Sequence, residues 1–134
     1  MRWLLDANVM IALVDEAHDH HEKVGRWFTA IEGMATCPIT EGALVRYMVR
    51  KGQSIASVID VLSRLTAHPG HEFWPDSLPY TGIDLSQVIG HRQVTDAYLV
   101  SLTRHHGPDA RLATLDEGLA ALYPGTVTLV SAQN

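Results

Sequence analysis

Cysteine is nearly absent from this 134-residue chain: Cys37 stands alone. It cannot close an internal disulfide, and no cysteine spacing suggests a zinc site, so a reducing, cytoplasmic setting is expected. Lysine is scarce too, with only Lys23 and Lys51. No apolar run approaches membrane-spanning length, so no membrane role is expected. The apolar N-terminal stretch is interrupted by Asp6 and Asn8 and lacks a small-residue cleavage site, so no secretory signal is expected. Positive charge is not in excess. The net charge is -5, which argues against nucleic-acid binding by bulk basicity. It leaves open a metal-dependent nuclease, whose site is itself built of acids. Repeats, low-complexity tracts and charge blocks are also missing.

What is present is 46% apolar residues in one domain's length of chain, enough for an ordinary core. A single domain over 1–134 is expected. Short apolar runs read as strands: residues 2–5, 34–39, 71–75, 110–115 and 126–130. Between them lie helical patterns. Asn8–Val14 starts near a cap at Asn8. Residues 18–31 carry Val24, Trp27, Phe28 and Ile31 at helical spacing. Thr40–Arg50 stops at Gly52, and a helix capped by Ser54 follows. A short helix is expected over Asp84–Ile89, a longer one over Val94–His106, and a turn or two over Glu117–Leu122. Strands alternating with helices predict an α/β fold, a three-layer α/β/α arrangement around a central, mainly parallel sheet of about five strands. In such sheets ligands bind beyond the carboxyl ends of the strands.

Acids stand at those ends. Asp6 follows the first strand in LLDANV. Glu41 follows the second in PITEGAL, and Asp116 follows the fourth in LATLDEGL. Asp96 lies in the first turn of a helix, in QVTDAYL, and reaches the same edge if that helix packs on the sheet. Taken singly, Glu41, Asp96 and Asp116 fit the helix dipole and capping equally well. Together they suggest one cleft of four carboxylates. Close like charges repel, and a hard cation such as Mg²⁺ or Mn²⁺ relieves that repulsion with oxygen ligands. Phosphodiester hydrolysis is the chemistry such a site suits.

The ordered set LLDANV, TE, TDA and TLD, with the segment GHRQVTDAYLVSLT over 90–103, resembles the signature of the PIN domain. More closely, it resembles the VapC-type toxins of bacterial toxin–antitoxin pairs. The resemblance covers essentially the whole chain. It implies a PIN-like fold and a Mg²⁺- or Mn²⁺-dependent endoribonuclease acting on RNA, with tRNA or rRNA as the expected substrate. It implies Asp6, Glu41, Asp96 and Asp116 as catalytic and metal-holding residues, with Asp116 preferred over its neighbour Glu117. It also implies a homodimer held inactive by a cognate VapB-type antitoxin.

Asn8, Thr40, Thr95 and Thr114 are candidates for orienting those acids, although capping explains Thr40 and Thr95 as readily. Arg46, Arg50 and Arg92 are candidate RNA contacts, and Lys51 and Arg104 could extend that rim. Hydrolysis by water leaves a 5′ phosphate and a 3′ hydroxyl. The histidines at 18, 20, 21, 105 and 106 sit at helix ends, where surface or capping roles suit them better than zinc. Two rival classes remain. A haloacid-dehalogenase-like phosphatase needs a second Asp where Asn8 stands, and a response-regulator receiver needs a late Lys. An inactive PIN-like binding domain would lack some of the four acids.

Overall fold

The computed structural model describes residues 1–131. The last three positions of the expected domain, 132–134, lie outside the described residues. In chain order the elements are β1 (Arg2–Leu5), α1 (Ala7–Val14), α2 (His21–Ala30), β2 (Gly33–Thr36), α3 (Pro38–Arg50), α4 (Ile55–Thr66), β3 (His71–Phe73), α5 (Val94–His105), β4 (Ala110–Thr114), α6 (Glu117–Leu122) and β5 (Val127–Leu129). The five strands form one sheet in the order β3-β2-β1-β4-β5, and every pairing is parallel. The sheet is therefore wholly parallel.

Strand residues alternate between two cores, as the period of two requires. Leu4, Ala35 and Leu112 face α5 and α6, packing with Tyr98, Leu99, Leu102, Leu119 and Tyr123. Leu5, Met34 and Ala113 face α1 to α4, packing with Val9, Met10, Trp27, Leu44, Met48 and Val58. A parallel sheet must be covered on both faces, and these two clusters are the coverings. Trp27 and Trp74 are buried, and Trp3 packs edge-on against Trp27 with ring centroids 5.4 Å apart. Cys37 is buried as well.

The boundaries differ from the sequence expectation where capping chemistry decides them. Asp6, not Asn8, caps α1, its carboxylate accepting from the Ala7 N–H. β2 stops at Thr36 because Cys37 already caps α3, and Pro38 occupies its first turn. Proline suits that position, where its missing N–H has no partner to lose. α2 begins at His21, three residues later than expected, and β2 opens at Gly33. At Gly52 the chain takes φ +85°, a conformation that ends α3 and favours glycine.

Asp84–Ile89 is not a helix. The Asp84 carboxylate accepts from the Ser86 N–H, the Asp84 N–H donates to the Ser101 hydroxyl, and the Ile89 N–H donates to the Gln93 side chain. These local bonds compete with the helical ladder. They also bolt the 74–93 connection onto α5, together with the Leu78 N–H bond to the Tyr98 hydroxyl. Under that cover, α5 is buried all round from Ala97 to Thr103.

Gly70 lies where α4 turns into β3. A Cβ there would stand 1.9 Å from the Glu32 carbonyl oxygen, against backbone that cannot yield cheaply. Gly25, inside α2, has open space around the same position. Gly70→Ala is expected to destabilise the protein by about 3 kcal/mol, the upper end of overpacking costs. Gly25→Ala is expected to stabilise it by about 0.5–1 kcal/mol. Urea unfolding of the two variants checks both signs.

Candidate active site

The chain leaves β1 toward β2 and β3 on one side of the sheet, then crosses to β4 and β5 on the other. The reversal falls between β1 and β4, and the crevice beyond their carboxyl ends is where open parallel sheets bind ligands. Leu5 pairs with Ala113, so the next residues, Asp6 and Thr114, emerge side by side. The Asp6 N–H donates to the Ala113 carbonyl at 2.9 Å. One Asp6 carboxylate oxygen accepts from the Ala7 N–H at 2.8 Å, and the other accepts from the Thr114 hydroxyl at 2.7 Å. Asp6 is only 8% exposed. Burial pushes its carboxyl above the usual range, against those two hydrogen bonds, and the Asp116 charge pushes the same way.

Asn8 ties this corner together. Its amide nitrogen donates to the Thr114 hydroxyl oxygen at 3.2 Å, and its amide oxygen accepts from the Leu115 N–H at 3.0 Å. The Thr114 oxygen also accepts from the Asp116 N–H at 3.1 Å. Asp116 then caps α6, accepting from the Leu119 N–H at 3.0 Å. A single threonine thus connects the ends of β1 and β4.

Asp96, in the first turn of α5, lines a cavity of about 240 Å³ with Gln93, Asp116, Gly118, Leu119, Leu122 and Tyr123. Its carboxyl is pushed up to about 6, first by desolvation and then by the charges of Asp6 and Asp116. Three acids from β1, α5 and the β4–α6 junction therefore act on one another electrostatically. Asp116 lines the cavity, whereas Glu117 does not. Gln93 is a lining residue that the sequence reading did not single out.

Glu41 does not join the mutual interaction of those three acids. It sits in the first turn of α3, where one of its oxygens accepts from the Thr36 hydroxyl at 2.6 Å. The same hydroxyl oxygen lies 2.7 Å from His71 Nε2 on the neighbouring β3. Asp6, Asp96 and Asp116 thus act on one another's charge, while Thr36 engages Glu41 at the end of β2 much as Thr114 engages Asp6 at the end of β1. Thr36 and His71 were missed in the sequence. The repeated pair Ala-Thr at two strand ends, Ala35-Thr36 and Ala113-Thr114, was a signal available there.

Other candidates fall differently. The Thr40 hydroxyl is consumed in the α3 cap, bonding to the Cys37 N–H and carbonyl at 3.2 Å each. Thr95 is exposed, and its side chain makes no hydrogen bond among the described residues. Arg92 is exposed in the turn just before α5 and forms no ion pair there. Arg46 and Arg50 lie down α3 from Glu41, Arg50 by about 14 Å at the helical rise of ~1.5 Å per residue. Arg50 and Lys51 flank the Tyr47 ring at 5.9 and 5.6 Å. Arg104 is engaged by Thr126 and Asp84 and lies over Tyr123, so it is not available as an open rim cation. Of the histidines, His21 bonds to the Ala12 carbonyl and His106 stacks on Trp74.

Among the described residues, no three His, Cys, Asp or Glu side chains lie together closely enough to hold a metal ion. The donor set that does exist is oxygen-only, mutually repelling and open to a cavity. It fits a hard divalent ion that keeps most of its water and takes one or two carboxylates. It does not fit a structural zinc site.

A PIN domain model matches residues 3–123, and the chain belongs to the PIN domain family. Divalent-metal dependence is general for the ribonucleases of this family. The chain is 52% identical over 131 residues to a protein named ribonuclease VapC29 from Mycobacterium tuberculosis, covering 97% of each. It is 40% identical over 126 residues to ribonuclease VapC38 of the same species, covering 89% of this chain and 88% of that one. A crystal structure of VapBC2 from Rickettsia felis bound to a promoter DNA fragment shares the fold, with a TM-score of 0.65 at 16% identity over 96% of this chain and 98% of that one.

The raised Asp96 makes a pH prediction. Unfolded, it titrates near 3.8; folded, near 6. Between those values the native state holds a proton that the unfolded state has lost, so stability falls as pH rises through that window. Asp96→Asn removes this cost and breaks no hydrogen bond. In a chelator the variant is expected to match wild type below 3.8 and to exceed it by roughly 1 kcal/mol above 6, allowing for solvent screening of a half-buried group. Urea unfolding across pH measures this, and a wild type more stable than the variant at about pH 8 contradicts it.

Proposed function

We propose that this chain is a VapC-type toxin: a Mg²⁺- or Mn²⁺-dependent endoribonuclease that cuts RNA phosphodiester bonds. The observation that carries this reading is the grouping of Asp6, Asp96 and Asp116 at the β1/β4 crevice, where desolvation first, and then the charges of Asp6 and Asp116, push the Asp96 carboxyl up to about 6. A fold gains nothing from such a cluster unless a cation relieves it. The ion, when bound, supplies charge neutralisation at the phosphoryl oxygens and a more acidic water.

The chain's own residues supply the rest. Thr114 and the Ala7 N–H fix both oxygens of Asp6, and Asn8 fixes Thr114. Asp96 presents its carboxyl to the cavity, and Asp116 brings a third charge from the cap of α6. Glu41 completes the acid set from the neighbouring strand end. Arg92, beside the cavity-lining Gln93, meets an RNA phosphate; Arg46 and Arg50 continue a basic track along α3. Water is the nucleophile, so the products are a 5′ phosphate and a 3′ hydroxyl. The substrate is a tRNA or an rRNA. The protein acts in the cytoplasm as a homodimer restrained by a VapB-type antitoxin. No helix among the described residues is long and apolar enough to cross a membrane.

Brief expression in cells beside the Asp96→Asn variant, with transcriptome-wide mapping of new RNA 5′ ends, tests this. New ends at a few positions in tRNA or rRNA, bearing 5′ phosphates and absent with the variant, are expected. Identical profiles, or products with 2′,3′-cyclic phosphates, would exclude the proposed chemistry.

A further inference from the structure

Glu41 follows a different strand end than Asp6 and Asp116, and what holds it there was not evident from the motifs. The Thr36 hydroxyl carries one proton, which it donates to Glu41 Oε2 at 2.6 Å. Its oxygen therefore has only lone pairs to offer His71, and the 2.7 Å contact to His71 Nε2 must be donated by the imidazole. This fixes both the direction of the chain of bonds and the ring nitrogen that carries the proton. Nothing else among the described residues hydrogen-bonds the remaining Glu41 oxygen, Oε1.

The backbone makes the arrangement rigid. Thr36 ends β2 and is fully buried. It pairs with Phe73, and Met34 pairs with His71, so the Thr36 and His71 side chains share one sheet face as diagonal neighbours on adjacent strands. The turn into β3 is itself fixed, since the Met34 N–H bonds to the Gly70 carbonyl at 3.0 Å and Gly70 admits no side chain. Glu41 comes from α3, whose start is set by Pro38 and the Cys37–Thr40 cap. Three elements thus converge on one hydroxyl.

We propose that His71 and Thr36 are positioning residues: a directed relay, His71 Nε2–H to Thr36 Oγ1–H to Glu41 Oε2, that locks one carboxylate oxygen and leaves Oε1 for the divalent ion or its water. This rests on the reading of Glu41 as part of the metal-dependent site. Such hydrogen bonds behind a ligand set its orientation, and losing them lowers metal affinity or activity by about 10–100-fold. The relay differs from the Thr114–Asp6 bond in its third member. Asp6 is locked by a backbone N–H as well as a hydroxyl, whereas Glu41 has a single hydroxyl whose geometry depends on a histidine from the edge strand.

The test compares wild type with Thr36→Val, Thr36→Ser, His71→Phe and His71→Gln. Two readouts are taken on each: Mn²⁺ binding followed by the free-ion EPR signal, and the Mn²⁺ concentration giving half-maximal RNA cleavage. Thermal melting in chelator verifies that each variant is folded. Thr36→Val is expected to weaken Mn²⁺ binding about tenfold or more, and His71→Phe to do so to a lesser extent. Thr36→Ser keeps the hydroxyl and His71→Gln keeps an N–H donor, so both are expected to recover most of the affinity. Folded Thr36→Val and His71→Phe proteins that bind Mn²⁺ as tightly as wild type would overturn the relay while leaving the nuclease reading intact. Wild-type protein that neither binds Mn²⁺ nor cleaves RNA would overturn that reading and the relay with it.

Discussion

The register between β1 and β4 is the constraint on which the rest of this structure depends. Pairing Leu5 with Ala113 brings Asp6 and Thr114 out of the sheet together, and a slip of one residue would turn every side chain of either strand to the wrong face. From that alignment follow the Thr114–Asp6 hydrogen bond, the Asn8 bridge to Leu115 and the placement of Asp116. Leu4 and Leu5, on opposite faces, anchor the strand in both cores and so hold the register against the repulsion of the acids at its end.

The site is thus assembled by the strongest part of the fold and destabilised by its own charge. Desolvating Asp6 and Asp96, and setting Asp96 beside two other acids, raises both carboxyls, which costs folding free energy. Such local cost at the carboxyl edge is common where function rather than stability sets the residue. The threonines moderate it. Each donates a hydroxyl proton to a carboxylate at a strand end, Thr114 to Asp6 and Thr36 to Glu41, without adding a charge of its own.

Much of this was legible in the chain before folding. The alternation of short apolar runs with helical patterns gave the layered α/β fold, and the acids after strands pointed to the carboxyl edge. Boundaries were lost wherever a side chain competes with the backbone ladder. Asp6 captures the first N–H of α1, Pro38 starts α3 early, and Asp84 traps a turn where a helix was expected. The grouping of the acids was only partly legible. Asp6, Glu41, Asp96 and Asp116 look equivalent as strand-end or helix-start residues. The hydrogen bonds that hold Glu41 run through Thr36 to His71, which are 35 residues apart in sequence. Pattern reading along one chain cannot pair them, although the repeated Ala-Thr strand ends hinted that the two threonines do similar work. The arginines illustrate a further gap: Arg104 looked like a rim cation, but it is committed to Asp84 and Thr126.

The proposed chemistry requires a divalent cation in the β1/β4 crevice. The most direct test is an anomalous difference map from crystals soaked in Mn²⁺ and free of antitoxin. One or two peaks in the cleft against the carboxylates of Asp6, Asp96 and Asp116 are expected. A map with no peak there, or with Mn²⁺ only on the surface histidines near the start of α2, would contradict that chemistry.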